Sequence, residues 1–462
     1  MNLESSSDSK APPLVPPGYV LPFVLLTLCF AAWGVANNMT DPLVNAFKGI
    51  WQMSNVQAAL VQSAFYGAYF CLALPAALLI KRTTYKTAVL VGLALFIVGA
   101  LLFWPASRTM VYWHFLAALF VLASGLSILE TSCNPYVLAL GSEATATRRL
   151  NLAQSFNPVG ANIGLVLAGL FILPHLGEVP EAERAAMPPA LLRQVQGAEL
   201  QAVMGPYVGM AIALIALWLL LAFSRMPQAS DTTEPLHFAA TFRRLWQDRI
   251  YAFGVVAQFF YVGAQICVWT FTLVFAESLP RAQGIDHAAL YARVQTLHQL
   301  LMAIHLKPQT TALPSLQEVG GLYLQASLLV FLVSRFVFTA LMRVVSPAKL
   351  LTFTAATATV ACLVLVAGPG DLGLLALLAI SGSMSMMFPT IYGIALEGLR
   401  DDAKVGGAGL VMAILGGALM PLAQGALVDR WGAAPSYLVP LFCFCVVLAY
   451  AQLCRGRRTL SG

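Results

Sequence analysis

Twelve apolar stretches, each long enough to cross a lipid bilayer as a helix, occupy most of this chain. A helix needs about 20 mostly apolar residues to cross roughly 30 Å of hydrocarbon. The stretches cover residues 19–45, 55–80, 86–104, 112–140, 151–173, 205–225, 250–276, 320–343, 349–367, 372–399, 406–428 and 436–454. A run such as Ile212 to Leu221 is apolar on every face, which is not the alternation of a membrane β-strand. The sequence therefore predicts an all-α membrane protein with 12 transmembrane helices.

The scarcity of charged residues excludes the soluble alternatives. Charged residues make up 10% of the chain and hydrophobic residues 59%, whereas soluble domains carry roughly 25% charged residues. So few charges cannot cover the surface of a soluble protein of this length, so a soluble enzyme and a secreted disulfide scaffold are excluded. The net charge of +6 does not indicate nucleic-acid binding, because the basic residues follow membrane sidedness.

The spacing of the spans divides the chain into two six-helix halves. A polar segment separates the first six spans from the last six, and Asn134-Pro135 in the fourth span has a faint echo in Phe388-Pro389 of the tenth. Six plus six with internal repeats is a transporter plan in which the substrate site lies near mid-membrane between the halves. The predicted domains are a disordered cytoplasmic tail (1–18), the first half (19–225), a cytoplasmic linker (226–248), the second half (249–454) and a second cytoplasmic tail (455–462).

Lysine and arginine predict the orientation of the chain. With both termini in the cytoplasm, seventeen basic residues lie on the cytoplasmic side and eight on the other, as the positive-inside rule requires. The first 18 residues lack the basic start and cleavage pattern of a signal peptide. We therefore expect a multi-pass protein of the cell inner membrane with both termini inside.

Polar side chains recur at helical spacing within four of the spans. Residues three or four apart share a helix face. The stripes are Asn37, Asn38 and Asp41 in the first span, Glu130 and Asn134 in the fourth, Asn151, Gln154 and Asn157 in the fifth, and Gln258, Tyr261, Gln265 and Trp269 in the seventh. Buried amides also hold helices together, but four stripes, two of them with acids, favour a water-filled cavity. Amides beside aromatic rings are typical of a sugar site, since amides donate and accept hydrogen bonds as hydroxyl groups do.

Ionisable groups inside a span are costly, so each is a functional candidate. Asp41 and Glu130 are the acids that we expect to carry protons. Arg335, in the eighth span, is either a structural partner of an acid or a substrate contact.

No catalytic or metal-binding pattern appears in the sequence. HExxH, GxSxG and Walker motifs are absent, and none of the eight cysteines forms a CxxC pair. We therefore expect neither an enzyme nor a cofactor or metal site.

Several of these stretches resemble one family of transporters. They are Trp33 to Asp41, Val61 to Tyr66, Leu129 to Pro135, Arg149 to Asn157 and Phe260 to Gln265. Their residues are similar to those of the fucose–galactose–glucose:proton symporter group of the major facilitator superfamily. The resemblance implies that Asp41 and Glu130 couple protons, and that Asn38, Gln154 and Asn157 line the polar cavity. Phe388 stands where the resemblance implies a tyrosine.

The expected function is proton-coupled import of a monosaccharide by alternating access, with L-fucose as the nearest resemblance. Galactose, glucose, mannose and N-acetylglucosamine remain alternatives, as do a uniporter and a drug:proton antiporter. The substrate-binding residues predicted are Asn37, Asn38, Asn134, Gln154, Asn157, Gln258, Gln265 and Trp269. The expected partners are the sugar, the proton and the lipid bilayer, with no nucleic acid, and we expect a monomer.

Overall fold

Helices make up the secondary structure of this chain wherever the structure describes it. The computed structural model describes residues 12–50, 55–171, 187–227, 238–283, 286–303, 313–367 and 370–459. Most of the predicted 1–18 tail and the middle of the predicted 226–248 linker lie outside these ranges, as do the last residues of the second tail.

The helices follow the order of the predicted spans. In the first half they are α1 (Val20–Ile50), α2 (Asn55–Arg82), α3 (Tyr85–Thr109), α4 (Tyr112–Ala139), α5 (Ala146–Gln154), α6 (Phe156–Phe171) and α7 (Pro189–Phe223). In the second half they are α8 (Phe238–Gln247), α9 (Arg249–Gln283), α10 (His287–Ala303), α11 (Leu316–Leu341), α12 (Pro347–Ala367), α13 (Gly370–Met384), α14 (Met387–Leu396), α15 (Ala403–Met412), α16 (Gly416–Trp431), α17 (Ala433–Ser436) and α18 (Leu438–Thr459).

Eleven membrane spans are recognisable by length and apolarity within the described residues. The remaining predicted span, the fifth, is broken at Ser155 into α5 and α6, of 9 and 16 residues. Pro158 explains the break, because a proline has no N–H to donate to the carbonyl four residues earlier. The twelve-helix fold that the sequence predicts is confirmed, and the fifth, tenth and eleventh spans are each divided into two α-helical pieces.

In each half, the first and the fifth span pack closely at a glycine. In the first half, α1 packs against α6 where a Cβ on Gly160 would overlap the carbonyl oxygen of Ala31. In the second half, α9 packs against the start of α16, where a Cβ on Gly416 would overlap the carbonyl oxygen of Phe259. Glycine permits this approach of two backbones within a membrane. The Gly416-Gly417 pair is thus a packing surface.

Segments outside the spans are also ordered by specific bonds. The buried Arg149 side chain donates to the carbonyl oxygens of Leu14 at 3.1 Å and of Val137 at 2.8 Å, which ties the end of the predicted tail to α4 and α5. The predicted linker contains the helix α8, and α10 packs beside α11 where Tyr323 donates to the carbonyl oxygen of Leu290 at 3.0 Å.

Candidate functional site at the interface of the two halves

The two halves meet at the end of the bundle that carries the α4–α5 turn. Asn151 of α5 donates to Oγ1 of Thr390 in α14 at 3.2 Å, and the hydroxyl groups of Ser155 and Thr339 lie 3.5 Å apart. We call this contact of α5 with α11 and α14 the gate. It joins the halves through polar groups that water can replace when the halves separate.

A backbone contact extends the gate to the turns beside it. Glu143, in the turn before α5, accepts a hydrogen bond from the backbone N–H of Gly398 at 2.8 Å. The Lys404 ammonium lies 5.9 Å from the ring centre of Tyr85. Both contacts join the first half to the second, so this end of the bundle is closed.

Arg335 crosses the gate and satisfies two carbonyls that prolines have left free. Its guanidinium donates to the carbonyl oxygen of Gln154 at 2.9 Å and to that of Ser385. These carbonyls precede Pro158 and Pro389 by four residues, so each has lost its usual helical donor. Arg335 therefore holds the α5–α6 break of the first half against the α13–α14 break of the second.

The structure favours the structural interpretation of Arg335. The side chain is 4% exposed, and its guanidinium carbon lies 4.9 Å from the ring centre of Phe331. A guanidinium presents five donors in a fixed plane, which suits two separate carbonyl acceptors. The sequence suggested an acid as that structural partner, but within the described residues the guanidinium is bonded to carbonyl oxygens and to no carboxylate.

A buried chain of polar side chains lies on the first-half side of the gate. Asn134 donates to Oε2 of Glu130 at 2.7 Å, and Gln154 donates to Oδ1 of Asn134 at 2.6 Å. All three side chains are at most 2% exposed. The other oxygen of Glu130, Oε1, has no hydrogen-bond partner within the described residues. These hydrogen bonds join α4 to α5 and leave one buried carboxylate oxygen of Glu130 without a partner in the described structure.

This hydrogen-bond chain of side chains connects three of the predicted site residues through single hydrogen bonds. Gln154 also supplies the carbonyl that Arg335 binds, so the same residue touches the acid chain through its side chain and the gate through its backbone. A change in the charge or hydrogen bonding of Glu130 can therefore reach the gate through Asn134 and Gln154.

The predicted amides of α1 and α6 are only half-buried. Asn157 donates to the carbonyl oxygen of Phe30 at 3.3 Å, and Asn38 makes a long 3.5 Å bond to that of Gly34. Asn37 is half-buried as well. Polar groups at membrane depth face protein or water rather than lipid, so these amides are suited to a water-filled cavity.

The first-half scaffold beside these amides is itself hydrogen-bonded. Trp33 of α1 donates to the hydroxyl oxygen of Tyr69 at 2.7 Å, and Ser127 of α4 donates to the Tyr69 carbonyl at 3.1 Å. These bonds hold α1, α2 and α4 together and orient the helix that carries Asn37 and Asn38.

The stripe on α9 divides into two environments. Trp269 and Gln265 are half-buried, and Trp269 packs edge-on against Phe331 at 5.2 Å while its Nε1 lies 3.4 Å from Oγ of Ser381. Tyr261 is buried and donates to the carbonyl oxygen of Met384 at 3.0 Å. Gln258 is fully buried, and neither of its amide atoms has a hydrogen-bond partner in the described part of the chain. Its role in substrate binding stays a prediction.

Asp41 lies within α1, three residues after Asn38. The placement of its side chain is outside the described structure, so its proton-coupling role rests on the sequence. No cluster of three or more metal-ligating side chains occurs among the described residues.

Sequence reasoning missed the gate residues Ser155, Thr339 and Thr390, because isolated hydroxyl residues in apolar helices carry no distinctive pattern. It also missed the origin of the Arg335 contacts. The signal was present in Pro158 and Pro389, each of which frees a carbonyl, but the pairing of two freed carbonyls with one arginine needs the tertiary structure.

Comparison with known proteins places these features in a family. Residues 23–421 match the family model of the Major Facilitator Superfamily. The chain is 38% identical to a protein of Haemophilus influenzae named L-fucose-proton symporter, over 94% of this chain and 96% of that protein. It is 33% identical to a protein of Brucella abortus named glucose/galactose transporter, over 93% of this chain and 92% of that one.

The fold also matches a solved structure along nearly its whole length. That structure is the crystal structure of a Major Facilitator Superfamily transporter, FucP, in the outward conformation. The TM-score is 0.82 at 33% identity, and the match covers 94% of this chain and 99% of the other.

Proposed function

This chain belongs to the Major Facilitator Superfamily, and from that premise we propose that it imports a monosaccharide, L-fucose, together with a proton. It is a multi-pass membrane transporter and not an enzyme. The observation that supports the proposal is the buried Glu130–Asn134–Gln154 hydrogen-bond chain, which links the acid predicted to carry a proton to two amides predicted to bind sugar, one of which also contributes its carbonyl to the gate.

The closed gate supports an outward-facing conformation. The gate lies at the end that carries Arg148, Arg149 and Lys404, which the positive-inside rule assigns to the cytoplasm. Both termini would then be cytoplasmic, in the inner membrane. The likeness to the outward conformation of FucP supports the same assignment.

Proton binding and sugar binding would then act together on the gate. In the outward-facing state, Asp41 and Glu130 receive protons from the outside while sugar hydroxyl groups bind Asn38, Gln154 and Asn157. Neutralising an acid removes a charge from the low-dielectric interior, which makes a closed, dry intermediate less costly. When the halves rock, the Asn151–Thr390 and Arg335–Gln154 bonds separate and the site opens to the cytoplasm.

The proton gradient supplies enough free energy for this work. One proton contributes about 2.3 kcal/mol per 100 mV of membrane potential and about 1.4 kcal/mol per pH unit. At about 100 mV and one pH unit the sum is about 3.7 kcal/mol, which corresponds to roughly 500-fold accumulation of the sugar.

L-Fucose is the sugar that the similar proteins favour. The Haemophilus influenzae relative is named an L-fucose-proton symporter, and so is an Escherichia coli relative that is 33% identical over 94% of this chain.

Uptake by reconstituted vesicles tests the proposal. Radiolabelled L-fucose, D-galactose and D-glucose are supplied with an inward proton gradient, without a gradient, and with the gradient collapsed by a protonophore. We expect concentrative uptake of L-fucose only when the gradient is present. Equal uptake in all three conditions would identify a uniporter, and gradient-driven uptake of glucose in preference to fucose would move the substrate to the other named relatives.

A further inference from the structure

An apolar groove with a volume of about 470 Å³ lies on the surface of the protein, between α2, α8, α9 and α15. Its volume lies within the roughly 300–1,000 Å³ range of small-molecule sites. We propose that this groove binds the acyl chain of an anionic phospholipid, whose phosphate group lies against Arg243 and Arg249. The site is separate from the sugar cavity and does not depend on it.

The short helix α8 forms the outer wall of the groove. Phe242, Leu245 and Trp246 line the groove from one face of α8, as their spacing of three and four residues requires. The rings of Phe242 and Trp246 stack at 6.2 Å with an interplanar angle of 10°, and their exposed fractions are 55% and 59%. Aromatic side chains on one face and arginines on the other are the pattern of a helix that lies in the membrane interface.

The groove is built by the protein before any lipid enters. Arg244 ties α8 to the turn before α15 with two bonds to Asp402, at 2.8 and 2.9 Å, and a bond within α8 to the hydroxyl of Thr241 at 3.0 Å orients its side chain. Leu245 is 2% exposed and anchors the helix on its inner side. The wall is therefore fixed rather than shaped by its occupant.

The charges beside the groove select an anionic headgroup. The carboxylate of Asp248 accepts the backbone N–H groups of Ile250 and Tyr251 at 2.8 and 3.1 Å, and Asp402 is paired with Arg244. Asp248 and Asp402 are thus engaged. Arg243 and Arg249 are exposed and form no ion pair in the ranges that the structure covers. Arg243 follows the lining residue Phe242 in sequence, and Arg249 precedes the lining residue Tyr251 by two positions. Exposed arginines next to the wall of an apolar groove match a phosphodiester above an acyl chain.

The position of the groove links it to the conformation of the protein. Phe70 comes from α2 of the first half, whereas the other walls come from the second half. This step rests on the proposed function: rocking of the halves would move α2 away from α15 and dismantle the groove. A bound lipid therefore favours the gate-closed conformation, because it binds that conformation better than the other.

Quenching of Trp246 fluorescence by lipids with brominated acyl chains tests the site directly. The purified full-length chain in mixed micelles is titrated with brominated phosphatidylglycerol or brominated phosphatidylcholine, and the Trp246 signal is taken as wild type minus Trp246→Phe. Each exposed arginine should raise the affinity for phosphatidylglycerol over that for phosphatidylcholine by about fivefold. In the double variant Arg243→Gln with Arg249→Gln, the phosphatidylglycerol concentration that gives half-maximal quenching should rise by about 25-fold. High salt should weaken the preference for phosphatidylglycerol because it screens the charges.

A matched pair of variants separates this groove from bulk lipid. Val256→Phe fills the groove, whereas Val360→Phe fills a comparable apolar surface groove between α12 and α13 that lies outside the proposed site. We expect the first to abolish the preference for phosphatidylglycerol and the second to leave it intact. Equal quenching by both lipids in the wild type, or a preference that survives loss of both arginines, would overturn the proposal. Neither measurement uses sugar or a proton gradient, so the outcome is independent of the proposed transport function.

Discussion

Arg335 donates a hydrogen bond to the carbonyl oxygen of Gln154 at 2.9 Å, across the interface between the two halves. That carbonyl is the one that Pro158 deprives of its helical donor. The second carbonyl bound by Arg335, that of Ser385, stands in the same relation to Pro389. One buried cation thus caps a helix break in each half and holds the two breaks together across the gate.

Replacing Arg335 with Gln should weaken the gate. Hydrogen bonds from a charged donor contribute about 1.5–3 kcal/mol each, and glutamine cannot reach both carbonyls with the fork of the guanidinium. Thr147 of α5 lies against Gly393 of α14, across the gate. We expect a lower thermal midpoint in detergent and faster maleimide labelling of a Thr147→Cys reporter. Arg343→Gln, which removes an exposed arginine beyond the end of the same helix, is the control. Unchanged labelling and midpoint would show that Arg335 does not hold the gate.

Pro158→Ala tests the proline explanation separately from the arginine. Alanine restores the N–H that the Gln154 carbonyl lacks, so the helix can satisfy that carbonyl without Arg335. The gate should then open more readily, with labelling at Thr147→Cys increased while the thermal midpoint stays close to that of the wild type. A large loss of stability without any change in labelling would mean that the break serves packing and not gating.

Much of the fold could be predicted because membrane helices are specified locally. Each span is an apolar run of sufficient length, and backbone bonding in lipid leaves helices as the solution. The break at Ser155 was harder to predict, since a proline within a membrane helix often kinks it without interrupting it. The amphipathic helix α8 was overlooked because its ten residues were assigned to a polar linker on the basis of average composition.

The site was predictable to the extent that polar residues in apolar helices stand out. Glu130, Asn134 and Gln154 were identified by helical spacing, and the structure connects them by hydrogen bonds. The spacing could not reveal that Gln258 is fully buried while Gln265 is half-buried, because both share one helix face and differ only in what packs against them. Tertiary packing therefore decides which amides a sugar can reach.

Asp41→Asn should abolish concentrative uptake while leaving sugar binding measurable. Asparagine keeps the shape of the side chain but cannot gain or lose a proton, so the gradient no longer drives accumulation. The measurement is uptake of labelled L-fucose under an inward proton gradient, with binding followed by calorimetry. Accumulation equal to that of the wild type would exclude Asp41 as the coupling acid.

Glu130→Gln should separate sugar exchange from uphill transport. Glutamine retains an oxygen that can accept the 2.7 Å bond from Asn134, so the chain to Gln154 can persist while the titrating group is removed. We expect exchange between sugar-equilibrated compartments to survive better than gradient-driven uptake. Equal loss of both activities in a folded protein would indicate that Glu130 serves the structure of the α4–α5 contact instead.

The amides of α5 and α6 should determine sugar affinity, and the structure predicts a difference between them. An amide–hydroxyl bond contributes about 0.5–1.5 kcal/mol net, so truncation of one amide should weaken binding by about two- to thirteen-fold.

Asn157→Ala loses a long bond to the Phe30 carbonyl and should fall within that range. Gln154→Ala also leaves Oδ1 of the buried Asn134 without its donor, so its effect should be larger and should include a loss of thermal stability. Calorimetric titration of both variants with L-fucose, galactose and glucose measures the affinities, and Gln154→Met is the matched control because it keeps the length of the side chain, removes the amide and adds no charge. If neither alanine variant changes the affinity for any transported sugar, these amides hold helices together and the sugar binds elsewhere.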